Sequence, residues 1–130
     1  MKIENTLSFI IILLFTSNIY GYNVDNPCEK SIKNGEYLAA IEKAGDIKNQ
    51  YDKNFCLGKA YYRENIYESA IKSFKKSEEY ADLPADQMFS ILYKGIAERD
   101  SGHLSTSSKT LTRGLETAKL GNSKYIEMEH

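Results

Sequence analysis

Apolar and small residues recur every three to four positions along most of the chain, the period of helices that each bury one face. Leu57, Ala60, Tyr61 and Glu64 keep that spacing up to Asn65, and Tyr67, Ala70, Ile71, Phe74 and Ser77 resume it afterwards. Asn tolerates the left-handed backbone that ends one helix and turns into the next, so this stretch predicts a helical hairpin. A second copy starts with Ile91, Leu92, Gly95 and Ala97, turns at Gly102 and continues through Leu104, Leu111, Leu115 and Ala118. A partial copy lies upstream. Asn26 and Pro27 are suited to the cap and first position of a helix reaching Lys33, Asn34-Gly35 turns it, and Tyr37, Ala40, Ile41 and Ala44 follow. The pattern predicts an all-α fold of antiparallel hairpins, with helices over 48–64, 67–81, 85–101 and 104–119 and no sheet.

The glycines fit this reading. Gly58 and Gly95 occupy matching places in two copies, where a small residue lets paired helices approach closely. Gly114 is expected at another close contact. Gly45 and Gly121 follow helical patterns, as C-caps would.

The first twenty residues break the pattern. Leu7 to Phe15 reads LSFIIILLF, too short to span a bilayer comfortably. Lys2 precedes it, and Gly21 supplies the small residue a leader peptidase needs just before its cut. This is the layout of a secretory signal over residues 1–21, with an uncleaved membrane anchor as the alternative. The helical domain then occupies 22–121, and 122–130 is either a short capping helix or a truncated end. Export places the protein in the periplasm or outside the cell. There Cys28 and Cys56, the chain's two cysteines, are permitted to form a disulfide. The alternative is two small buried residues on helix faces.

Composition narrows the function. Seventeen basic residues against eighteen acidic ones leave no electrostatic footprint for nucleic acid. His103 falls in a turn and His130 is the last residue, neither in a metal-binding or catalytic motif. No G-x-S-x-G, HExxH, CxxC or phosphate loop occurs. Neither catalysis, a cofactor nor a metal is expected.

The middle hairpin resembles the tetratricopeptide repeat (TPR), whose pattern is W-x2-L-G-x2-Y, then A-x3-F, then P. The chain has Leu57-Gly58-x2-Tyr61, then Ala70-x3-Phe74, then Pro84, with Asn54 in place of the Trp. Flanking copies are weaker: Ser107 stands where Ala70 stood, Glu98 where Tyr61 stood, and Cys28 where Gly58 stood. The resemblance implies a short α-solenoid whose concave face is lined by the first helix of each hairpin. On that face it places Phe55, Lys59, Tyr62, Arg63, Leu92, Ile96 and Arg99, with Glu29 and Lys33 contributing. It implies a non-catalytic module that binds a polypeptide, acidic or carboxylate-ended, alongside its cations. A structural subunit with a permanently occupied groove, oligomeric or within a dedicated assembly, is the alternative. The carboxylate clamp of the family's co-chaperone branch is missing, because Asp25, Glu29 and Cys56 occupy its places.

Overall fold

The computed structural model describes residues 21–129. The segment expected to be a leader lies outside the described residues apart from Gly21, as does His130. Six α-helices and no strand are found among the described residues: α1 Pro27–Lys33, α2 Tyr37–Ala44, α3 Gln50–Arg63, α4 Tyr67–Tyr80, α5 Pro84–Asp100 and α6 Leu104–Glu129. None of them is long and apolar enough to cross a membrane. The last helix differs from expectation. It runs unbroken through 122–129, so that stretch continues the helix rather than forming a separate one. Gly121 lies within α6 and caps nothing; a β-carbon there would stand 3.3 Å from Pro84 Cβ.

Local chemistry sets the helix ends. The Asn26 side chain accepts from the Glu29 N–H at 2.8 Å, and the Asn49 side chain accepts from the Asp52 N–H at 3.0 Å. Both satisfy donors that a helix start leaves open. Pro27 and Pro84 occupy first turns, where the missing N–H costs nothing. Three turns share one geometry. Gly35, Asn65 and Gly102 all take positive φ. The next residue's N–H then reaches five residues back: Glu36 to Ser31, Ile66 to Tyr61, His103 to Glu98. This closure satisfies the last carbonyls of one helix while the next helix begins at once.

Each helix packs on the next, and α1 also touches α3. Within α3 and α4 the register is antiparallel, because Gly58 faces Phe74 across the shared turn. A β-carbon on Gly58 would stand 2.5 Å from Phe74 Cε1. Gly95 repeats the device, with Leu111 Cδ2 at 2.6 Å from the same construction. In the first pair the sizes are reversed: Cys28 holds the glycine position and the smaller Ala44 holds the Phe74 position, both without exposed surface. Ser107, polar where Ala70 is apolar, is accommodated because its hydroxyl donates to the Gly95 carbonyl at 2.7 Å. A disulfide joins Cys28 of α1 to Cys56 of α3, with Cα atoms 6.3 Å apart. It ties the shortest hairpin to the next one and closes a loop worth roughly 3–4 kcal/mol in chain entropy.

Phe74 has no exposed surface, so its ring has nowhere to retreat. Gly58→Leu is expected to cost on the order of 1–3 kcal/mol by overpacking. That outweighs the ~1 kcal/mol gained over glycine in helix propensity. Urea unfolding measures it; an unchanged midpoint would mean that α3 turns a different face to α4.

Candidate functional site

The first helices of the three pairs, α1, α3 and α5, form a face that carries a piece of the chain itself. Gly21 to Asn26, just ahead of α1, is non-helical and lies across this face. The Gly21 N–H donates to Asp86 Oδ1 of α5 at 3.1 Å, and the Asn23 N–H donates to Asp52 Oδ1 of α3 at 3.3 Å. Between these anchors the Tyr22 side chain turns inward, 5% exposed. Its ring meets Phe55 edge-on at 4.9 Å and Tyr51 at 6.2 Å. Its hydroxyl donates to Glu29 Oε2 of α1 at 2.6 Å. An Asx turn supports the entry into α1: the Asp25 N–H donates to the Asn23 side chain, and the Asn26 side-chain amide donates to the Asn23 backbone carbonyl.

Phe55 is therefore not on an open face. It is 2% exposed and sits at the centre of an aromatic cluster. Tyr51 stacks on it at 5.5 Å, while Phe74 of α4 and Tyr93 of α5 meet it at 5.8 and 5.2 Å. Two things cover the position assigned to a partner: Tyr22 from the preceding segment and Tyr93 from the neighbouring first helix. Lys59 is also committed internally. Its ammonium pairs with Glu29 Oε1 at 2.6 Å and lies 5.3 Å from the Tyr22 ring centre and 5.6 Å from that of Phe55. The pair keeps the buried Glu29 carboxylate from standing uncompensated.

The other expected site residues scatter. Leu92 packs inward on α6, where a β-carbon at Gly114 would approach its Cδ2 to 2.7 Å. Ile96 is half-buried. The Arg63 guanidinium donates to the Tyr37 hydroxyl of α2 at 2.5 Å and lies 4.9 Å from that ring's centre. Tyr62 and Arg99 do come together, through Asp100. The Tyr62 hydroxyl donates to one carboxylate oxygen and Arg99 Nε to the other, at 2.9 Å. The hydrogen bond to Asp100 holds the Tyr62 phenol above its ordinary range. Lys33 stays exposed near the end of α1.

Sequence reasoning missed the residues that shape this face: Tyr22, Tyr51, Asp52, Asp86 and Tyr93. Asp86 is 4% exposed and Asp52 8%. Among the described residues neither is paired with a Lys or Arg. Burial pushes the Asp86 carboxyl up, and the neighbouring Asp52 and Asp82 charges add to this, against the Gly21 N–H, which lowers it. Burial likewise raises Asp52, against the Asn23 N–H. Among the described residues no group of three His, Cys, Asp or Glu side chains could hold a metal ion.

A carboxyl whose pKa is raised by folding binds its proton more tightly in the native state. Its contribution is most favourable in acid and is lost as pH rises through the folded value. In the chain that retains residues 1–20, Asp86→Asn keeps an acceptor for Gly21 and removes the charge. It is expected to raise the thermal midpoint at pH 7. It should make no difference below about pH 4, where the native carboxyl is itself protonated. A lower midpoint at pH 7 would contradict an uncompensated charge. The chain matches no family model, no curated protein and no solved structure, and its function is read from its own geometry.

Proposed function

We propose that the protein is an exported, non-catalytic interaction module. In this reading its hairpins stack as a short TPR-like solenoid and its first-helix face takes a polypeptide segment. One observation carries the reading: that face already carries such a segment, Gly21–Asn26. Its backbone donors go to Asp52 and Asp86, and its Tyr22 side chain fills a slot between Tyr51, Phe55 and Glu29. The shared geometry of the three turns, at Gly35, Asn65 and Gly102, supports the stacking of equivalent hairpins. The two carboxylates alter the expected ligand. A seat built on Asp52 and Asp86 suits a segment that brings N–H donors or positive charge and an aromatic side chain. It disfavours an acidic or carboxylate-ended one.

The depth of Tyr22 favours one second reading, a structural subunit whose groove is permanently filled, here by its own chain. Peptide binding separates the two. Tyr22→Ala removes the side chain that anchors the internal segment, and circular dichroism verifies that the helices remain. The labelled peptide Gly-Tyr-Asn-Val-Asp-Asn is then titrated into wild-type and variant chains. An internal competitor lowers apparent affinity by the fraction of open face. Binding at least about tenfold tighter to the variant supports the module. No binding to either chain supports the permanently filled subunit.

A further inference from the structure

A cleft of about 380 Å³ opens between α3 and α4, on a different stripe of α3 from Phe55, Lys59 and Tyr62. Leu57 and Tyr61, one turn apart and both half-buried, line it from α3. Lys72, Lys75 and Lys76, all exposed, line it from α4. Ser73 lies among them, 8% exposed, and its hydroxyl has no hydrogen-bond partner among the described residues. Glu79 is the one acidic residue of the lining. It forms no ion pair with the lysines, and among the described residues none of the three has a carboxylate partner.

The same positions in the following pair show what this cleft lacks. Gly58 of α3 corresponds to Gly95 of α5, so Leu57 corresponds to Lys94, and Lys76 of α4 to Arg113 of α6. Those two cations converge on one carboxylate, Glu78 of α4. The Arg113 guanidinium meets both of its oxygens, at 3.1 and 2.8 Å, and Lys94 Nζ lies 3.9 Å from one of them. The carboxylate thus comes from the second helix of the preceding pair. For the cleft that helix is α2, and α2 is too short to supply one. Glu78 stands eleven residues after Tyr67, where α4 begins, whereas α2 begins at Tyr37 and already ends at Ala44. The residue eleven after Tyr37 is Lys48, outside any helix and of the opposite sign.

We propose that the cleft between α3 and α4 docks an acidic segment of a partner polypeptide, whose carboxylates serve Lys72, Lys75 and Lys76 as Glu78 serves Lys94 and Arg113. This goes beyond the first-helix reading and does not rest on it. Charge complementarity selects the carboxylates. The wall of Leu57 and Tyr61 takes an aliphatic side chain beside them, and the Ser73 hydroxyl offers a donor from the floor. The lysines are exposed, so each pair adds little alone. Affinity comes from several pairs acting together, and it falls as salt screens them.

The test titrates two blocked peptides, acetyl-Glu-Glu-Leu-Glu-Glu-Leu-amide and its Gln counterpart, into the isotope-labelled full chain and follows amide shifts by NMR. The Glu peptide is expected to move the resonances of Leu57, Tyr61 and 72–76, and the Gln peptide to leave them in place. Lys72→Gln combined with Lys76→Gln should weaken the Glu peptide at least about fivefold. Lys30→Gln combined with Lys33→Gln, the same charge change on exposed residues of α1, should leave it unchanged. No shift with the Glu peptide, equal shifts with both peptides, or equal loss in both double variants overturns the proposal. So does binding of phosphatidylglycerol vesicles through Lys72 and Lys76 by a chain that ignores the Glu peptide, which assigns the cleft to a membrane surface. The comparison of the two peptides on wild type needs no variant and stands even if a variant fails to fold. Tyr22→Ala, which opens the first-helix face, should leave the Glu peptide's affinity unchanged. A change there would place the peptide on that face and overturn the cleft, so the two readings fail separately.

Discussion

The fold depends on what surrounds the ring of Phe55. It receives Tyr22 from the segment before α1, Tyr51 from its own helix, Phe74 from α4 and Tyr93 from α5. Short amphipathic helices have little stability alone and depend on packing of their apolar face. Here a single aromatic cluster serves two adjacent pairs at once. Aromatic side chains carry the largest apolar area per residue, which suits a small domain in a chain with only three methionines and no tryptophan. Gly58 is the counterpart of this cluster, since only a residue without a β-carbon lets Phe74 lie so close to α3.

The polar groups beneath Tyr22 follow from the same packing. A tyrosine buried to this depth needs a partner for its hydroxyl, and Glu29 supplies it. A buried carboxylate needs a cation, and Lys59 supplies that, lying at the same time near the faces of two rings. The Cys28–Cys56 bridge runs between the helices that carry Glu29 and Lys59 and fixes their separation. Tyr22, Glu29, Lys59 and the disulfide thus form one connected unit. It holds the shortest pair, α1 and α2, against the rest. The seat for the N-terminal segment is a by-product of building that junction.

Much of the fold was legible in the chain because helical period and turn chemistry are local. The boundaries of α3, α4 and α5 came within two residues, and the turns at Gly35, Asn65 and Gly102 fell where residues tolerant of positive φ stand. The close contacts at Gly58 and Gly95 were readable from spacing. The site was not. Periodicity says which face of α3 carries Phe55, but not that Tyr93 and Tyr22 would cover it from 38 residues downstream and 33 upstream. Tyr22 adjoins the segment expected to be a leader, and nothing local gives it a structural role. Asp52 and Asp86 fall in the first turns of their helices, where an acidic residue ordinarily complements the helix dipole. Nothing local marks them as facing one another's neighbourhood. Gly121 suggests a stop after 119, whereas α6 continues through it and uses it for a close approach to Pro84.

The central claim is that Gly21–Asn26 is part of the folded core and occupies the first-helix face. Nuclear Overhauser contacts from the Tyr22 ring address this directly. The account predicts contacts to the rings of Tyr51 and Phe55, with chemical shifts for Tyr22 far from those of a free tyrosine. A Tyr22 with free-tyrosine shifts and no contacts, in a chain whose helices are intact, would contradict it.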